Sequence, residues 1–485
     1  MGAADGAVLI EGGLVLVGDP LEADIRRADV LVQDSRIAAV GTGLAIPAGA
    51  RVLSARGRLV APGFVDTHHH LWETTMRGAA SEWSIIDFLW GMRFHHTAAH
   101  TPEDVYAGSY AAAVAALDAG ITTTLDHMHA ANSREHAEEG LRAVGDSGIR
   151  ARWMLGLTTS DPQAPSSAGQ QDRRDLLASL NEAQPFSVRQ RVMVGVAAND
   201  LASVPWAQTV QEYALAAELG LGLTVHARSV PGPGLPAEIE WLHRARLLGP
   251  NQVYSHVTAA SDDELRMLSD AGAAVSSTPE TESQMGMGFP VWNRARRLGV
   301  EVGLGTDIQA NNPADPFRCM LLALRLATVQ EQEPGLQESG LLSLSGRPVS
   351  LVEVLHVATL GGARALGMGD RVGSIEVGKQ ADLLIVRQDA LHHSPVVDPI
   401  ATYVLHTRPS DVETVLVDGQ VRKESGRMSD GADHRARDLV VAAWARLEPV
   451  IAARGGLLPP RPEDLLLQLA RTMVANAPAL DASPA

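Results

Sequence analysis

Short runs in which apolar and polar residues alternate occupy both ends of the chain, and a longer repeat fills the middle. From Val8 to about Leu59 the runs VLIEGGLVLVGD, ADVLVQDSRIAAVG and ARVLSARGRLV, punctuated by Gly, Asp and Ser, predict a small antiparallel sheet without reactive groups. Past Gly63 the texture becomes strand, loop, helix, repeated. Strands are predicted at 59–70, 121–126, 149–157, 191–197, 221–227, 252–257, 273–278 and 300–307. Helices between them open at Thr101-Pro102-Glu103-Asp104, at Asn132 before REHAEEG and at Ser261 before DDELRMLSDAG. Eight strands separated mainly by helices predict an α/β protein whose parallel strands close into a TIM-like (β/α)8 barrel. A doubly wound sheet is the alternative, but no GxGxxG follows the first strand.

After Ser350 and Glu353, a capping box for a helix through VLHVATLGGARALG, the segments GSIEVGKQADLLIVRQ and DVETVLVDGQVRKESG return to the sheet texture. Residues 1–60 together with 370–430 are therefore expected to form one small β-sandwich domain flanking a barrel of residues 61–369. Residues 431–485 form a helical extension. Its two amphipathic stretches, RARDLVVAAWARLEPVIAARG and PEDLLLQLARTMVAN, are expected to pack against the barrel or a second subunit, with APALDASPA disordered.

Composition narrows the partners. With 485 residues, 45% hydrophobic and 20% charged, the chain reads as globular with room for more than one core. A net charge of −17 argues against nucleic acids and anionic membranes, and leaves a small neutral or cationic ligand. Asp5 and Glu11 sit in or beside the first apolar run, so it is not read as a secretory signal, and no apolar run reaches membrane-spanning length. A single cysteine, Cys319, permits neither an internal disulfide nor a cysteine zinc cluster, and a reducing cytoplasm is expected. The only lysines, Lys379 and Lys423, both lie after the barrel.

Side chains on a strand alternate faces, so within Asp66-Thr67-His68-His69-His70 the rings of His68 and His70 point one way and His69 the other. Barrel chemistry sits at the C-terminal strand ends, and there fall His68, His70, His226, His256 and Asp307. Each alone reads first as a satisfied histidine or a helix-capping aspartate; the coincidence of five changes that. Three histidines and an aspartate would hold Zn2+ or another divalent first-row ion, with one position left for water. The long loop from Leu71 to His100 carries Trp72, Trp83, Phe88 and Trp90; Trp72, next to the ligand strand, is expected to touch substrate and the others to pack. His127 and His129 end the second strand as substrate contacts or structural groups, and Glu280 and Glu282, in SSTPETESQMGMG, are either site acids or a solvated loop. His136-Ala-Glu138 matches the HxE of small zinc nucleobase deaminases, but their P-C-x-x-C partner is impossible with one cysteine.

The segments PGFVDTHHHLW, the strand-end His226 and His256, GLGTD followed by Asn311-Asn312, and ATLGGARALGMGDRVGSIEVGKQADLLIV resemble the amidohydrolase superfamily over about residues 8–430. Within it the chain is similar to the mononuclear group of cytosine, guanine and S-adenosylhomocysteine deaminases and triazine hydrolases. The resemblance implies one metal ion, Zn2+ first and Fe2+ or Mn2+ as alternatives, held by His68, His70, His226 and Asp307. It also implies that His256 orients the water or polarises the substrate, and that Asp307 takes a proton from metal-bound water, whose pKa falls to about 7, and hands it to the leaving nitrogen. Binuclear members bridge two metals with a carboxylated lysine on the fourth strand, where RVMVGVAAND has none. One departure stands out: deaminase-like members carry Glu three residues after the fifth-strand histidine, and here His226-Ala227-Arg228 leads to Ser229. Either Asp307 and His256 suffice, or another acid substitutes, or the reaction is not a ring deamination. The expected activity is hydrolytic deamination of a purine-, pterin- or pyrimidine-like heterocycle. Ring opening of a cyclic amide, or hydrolysis of a chloro or alkylamino substituent, is the alternative, and a silent scaffold is the remote third. The expected partners are that small substrate, water and a second copy of the chain in a dimer or tetramer.

Overall fold

The computed structural model describes residues 6–157, 170–183, 191–230, 237–340 and 349–478; the terminal APALDASPA lies almost wholly outside them. Eight strands close into a barrel: β1 (Phe64–His69), β2 (Ile121–Met128), β3 (Arg150–Gly156), β4 (Val192–Ala197), β5 (Leu223–Ala227), β6 (Gln252–His256), β7 (Ala274–Ser277) and β8 (Glu301–Leu304). Each pairs in parallel with the next, and β8 returns to β1 with Leu304 opposite Asp66. Every residue of β1 to β4 is buried, as expected for strands covered on both faces. Leu125, Met154, Met193 and Val253 fill the interior with Ala363 and Leu366. Crossover helices start where capping chemistry places them: Thr101 and Asp104 cap each other at Pro102–Asp118, and Ser261 and Glu264 do so at Asp262–Asp270.

The strand expected at 59–70 is two strands. Arg58–Pro62 belongs to a separate sheet, between Val8–Leu16 in parallel and Leu383–Arg387 antiparallel, and Gly63 turns the chain into β1. Only glycine fits there, since a Cβ would lie 2.1 Å from Thr122 Oγ1. The separate sheet joins nine strands from both chain ends around a core that includes Ile10, Val15, Val30, Leu383 and Leu416. It is antiparallel except where Val8–Leu16 meets Arg51–Ser54 and Arg58–Pro62. Buried Arg150 on β3 ties barrel to sheet with a two-pronged grip on Asp382 at 2.9 and 3.0 Å and a further bond to Asp418.

Two local expectations are corrected. Ser133, not Asn132, is the N-cap of Arg134–Ser147, because the Asn132 amide donates to the Thr97 carbonyl at 2.8 Å. The helix expected through ATLGGARALG breaks at Thr359 (φ −132°, ψ −97°) into Leu351–Val357 and Leu360–Ala365. Beyond the sheet, the helix Ala432–Ala453 lies along Pro102–Asp118, with Arg446 on the Asp104 carboxylate, and a last helix spans Leu465–Ala475. Among the described residues no helix is long and apolar enough to cross a membrane.

Candidate metal centre and cavity

At the mouth of the barrel the β1 end is pinned to the β8 end by Asp66, which accepts from the backbone of His68 and Thr306 and from the Thr306 hydroxyl. His69, on the opposite face as strand alternation requires, packs toward that aspartate at 3.2 Å. His68 and His70 face inward and meet His226 from β5.

The tautomers of His70 and His226 follow from their outer partners. His70 Nδ1–H donates to the His127 carbonyl at 2.8 Å and His226 Nδ1–H to the Asp200 carboxylate at 2.6 Å. Neither acceptor can donate, so both rings present a bare Nε2 lone pair inward. His68 Nδ1 is bonded to Ser255 Oγ at 2.8 Å, leaving its Nε2 inward as well. Burial favours the neutral form of His68 and His70: it brings His68 down to about 4, and burial with the neighbouring imidazoles lowers His70 strongly.

The inward nitrogens lie 3.2 Å (His226 to His68) and 3.3 Å (His226 to His70) apart, with Asp307 Oδ1 3.3 Å from His68 Nε2 and 3.6 Å from His70 Nε2. Bare lone pairs at such separations repel unless a cation lies between them. A tetrahedral centre with metal–nitrogen bonds of about 2.0–2.1 Å has ligand–ligand edges of about 3.3–3.4 Å, so this donor set fits a divalent first-row ion. Burial alone would raise the Asp307 carboxyl, but contact with His68 and the nearness of His256 and His226 outweigh burial and hold it well below the usual range. Asp307 and His256 both adopt left-handed backbone (φ 66° and 70°), the kind of local strain that clusters at functional sites.

His256 stacks nearly parallel to His226, with centroids 5.4 Å apart, and its Nδ1 is bonded to Thr278 Oγ1 at 2.9 Å with Glu282 Oε1 3.6 Å away. Burial pulls its pKa down, yet Glu282 and the Asp307 charge outweigh burial and raise it. Glu282 is fully buried and accepts from Ser277 Oγ and the Thr278 N–H, so it stands behind His256. Glu280 leaves the site altogether and pairs with Arg318, with burial raising it to about 7.

A cavity of about 630 Å³ opens over the donor cluster, within the range of about 300–1,000 Å³ usual for small-molecule sites. Of the five expected substrate contacts, His129 lines it; Trp72, His127, Glu280 and Glu282 are not among its lining residues. Trp72 is fully buried, and its Nε1–H donates to His129 Nδ1 at 2.9 Å. His127 stacks on His226 at 4.4 Å.

Asp200, Arg93, Glu73 and Glu238 also stand at the site, with no motif in the sequence to mark them. Asp200, three residues beyond β4, satisfies the strand-end rule that found the histidines. Because indole only donates, His129 Nδ1 is an acceptor and its Nε2 carries the proton, 3.7 Å from the fully buried Glu73. Burial raises the Glu73 carboxyl strongly. Arg93, Glu238 and Ser229 line the cavity with Asp200. Glu238 accepts from the Arg228 N–H at 2.6 Å, and burial pushes it up to about 8.

A closed parallel barrel with imidazole and carboxylate metal donors converging at its strand ends, under a deep cavity, is the architecture of a metal-dependent hydrolase. Residues 59–422 match the amidohydrolase family, and the chain belongs to it. A 5-methylthioadenosine/S-adenosylhomocysteine deaminase of Symbiobacterium thermophilum is 30% identical over 440 residues, covering 85% of this chain and 93% of the relative. A 5'-deoxyadenosine deaminase of Methanosarcina barkeri is 28% identical over 422 residues, 85% and 92% of the two chains. Among solved structures, a zinc-bound adenosine deaminase from Xanthomonas campestris superposes with a TM-score of 0.75 at 24% identity, covering 91% of this chain and 99% of the other. Atrazine chlorohydrolase from Arthrobacter aurescens, complexed with zinc and atraton, gives 0.76 at 23% identity, covering 90% and 100%. At these identities the superpositions speak to the fold.

Proposed function

We propose that the chain hydrolytically deaminates an amino-substituted N-heterocycle, purine-like rings first, exchanging the ring amine and a water for a ring carbonyl and ammonia. The observation that carries this is the convergence of the inward ring nitrogens of His68, His70 and His226 beside ionised Asp307 in the wall of a ligand-sized cavity, in a chain whose curated relatives are named as deaminases of adenine nucleosides. Those four residues would hold one divalent ion, zinc first, which when bound acidifies a water to a pKa of about 7.

Asp307, ionised and lining the cavity, is placed to take a proton from the attacking water and to hand it to the departing nitrogen. His256, its Nδ1 held by Thr278 and Glu282, turns its other nitrogen to the substrate and polarises the reacting ring. At Ser229 the hydroxyl donates to the Ala227 carbonyl and does no acid–base work. Glu238 lines the same cavity and, raised to about 8, is a carboxylic acid at neutral pH, able to protonate a ring nitrogen as the reaction proceeds. The setting assigned is a reducing cytoplasm, to which the buried free thiol of Cys319 is suited.

Cyclic-amide ring opening is the second reading, favoured by Ser229. Mass spectrometry of metal-loaded protein and a chelated control, offered amino-purines, amino-pterins, cytosine and cyclic amides, separates the two. Ammonia lost with oxygen gained, abolished by chelation, is the expected result. Water added without ammonia release establishes ring opening, and turnover surviving chelation overturns both.

A further inference from the structure

The cavity has two chemical halves. Its polar half is built by the barrel mouth, with His70, His226, His256 and Asp307. Its apolar lining joins barrel-loop residues such as Leu201, Met287 and Ile308 to two segments far apart in sequence: the loop after β1, with Ile85, Phe88 and Leu89, and the last helix, Leu465–Ala475. Leu466, Leu469, Ala470 and Met473 of that helix border the cavity, and their spacing of three, four and seven residues makes them one helical face. A surface helix ordinarily buries such a face in the core. Among the described residues, Leu465 is the only one this helix buries, while Leu466 stays 55% exposed.

The helix is fixed in place at both ends. On the N-terminal side Trp90 Nε1–H donates to the Pro459 carbonyl at 3.1 Å and His96 Nε2–H to the Leu457 carbonyl at 2.6 Å, while Arg461 pairs with Asp87 at 3.3 Å. On the C-terminal side the Trp206 N–H donates to the Asn476 carbonyl at 3.2 Å, and the Asn476 amide donates to the Ala202 carbonyl at 3.0 Å. Residues 457–476 thus bridge the loop after β1 and the loop after β4, and they lie beyond the region matched by the family, which ends at 422.

We infer that residues 457–476 are a fixed wall of the substrate chamber, and that the substrate is a heterocycle bearing an apolar substituent seated against Leu469 and Met473. The inference rests on the deamination reading for the reacting ring and extends it to the rest of the substrate. A cavity of about 630 Å³ holds far more than a bare bicyclic ring, and filling its apolar half removes the partly exposed Leu469 and Met473 side chains from water.

The test uses the metal-loaded full chain and a homologous series of 9-alkyladenines from methyl to hexyl, with Kd measured by calorimetry and kcat/KM by ammonia release. Each added methylene should tighten Kd and raise kcat/KM about fourfold until the chamber is full. The L469D/M473D variant, checked for an unchanged melting profile, should lose that dependence on chain length. The L467D variant, altered at a neighbouring helix position that does not border the cavity, should keep it. A Kd series that is flat in the wild type, no binding by any member, or an equal loss of slope in L467D overturns the inference. Kd that tracks chain length with no ammonia released leaves the wall standing and sinks the deamination reading instead.

Discussion

The Asp200→Asn substitution probes the centre most directly, because it leaves every proposed ligand in place. Asp200 accepts the Nδ1–H of His226 at 2.6 Å and so fixes which nitrogen of that ring faces inward. An asparagine carbonyl can still accept this bond, but without its charge. A hydrogen bond to a charged partner contributes about 1.5–3 kcal/mol and a neutral one about 0.5–1.5 kcal/mol, so the difference is about 1–1.5 kcal/mol, or roughly tenfold in metal affinity. Asp200→Ala removes the acceptor altogether and should approach the hundredfold end of the range of about 10–100-fold seen for outer partners of metal-bound histidines. The assay is competition for zinc against a chromophoric chelator, with circular dichroism to show the barrel intact. Zinc affinity within twofold of wild type in both variants would refute the claim that Asp200 sets the His226 lone pair.

Glu238 gives a pH signature with a definite sign. Its folded pKa of about 8 lies above the ordinary carboxyl value of about 4.3, so the folded state binds the extra proton. The stability it contributes is complete below about pH 4 and is lost as pH rises through about 8; Glu238→Gln should flatten the fall in melting temperature between pH 5 and 9. If Glu238 is the ring-protonating acid, kcat/KM should also lose an alkaline limb near pH 8 in that variant, and a limb that persists reassigns it. Trp72→Phe deletes the one donor to His129 Nδ1 in a fully buried site and should cost about 1–3 kcal/mol in denaturant unfolding. An unchanged midpoint would mean that water replaces the indole there.

What could be read from the sequence followed from periodicity. Strand alternation set His68 and His70 on one face against His69, and the helix-separated strands placed His226, His256 and Asp307 at the same end of one barrel. Nearness in sequence was a poorer guide to which way a side chain faces. Trp72 follows the ligand strand directly, but the 3-10 turn Leu71–Met76 buries its ring against His129 instead of offering it to the cavity. Glu280 and Glu282 are two residues apart on one short helix, and that spacing sends one out to Arg318 and the other in behind His256. Asp200 obeyed the strand-end rule yet follows Ala-Ala-Asn, where an aspartate equally starts a turn, and only contact with His226 separates the two. Glu238 and the last helix reach the cavity through tertiary packing, for which neither periodicity nor spacing leaves a mark.

The strand Arg58–Pro62 pairs along one edge with Leu383–Arg387. On a ribosome adding about 5–20 residues per second, the first partner waits tens of seconds for the second, while the whole barrel is made in between. Through that interval the amino-terminal strands carry an open, hydrogen-bonding edge of the kind that recruits other chains. Chains terminated before Leu383–Arg387 would keep that edge open for good, and are expected to aggregate more readily than the full-length protein.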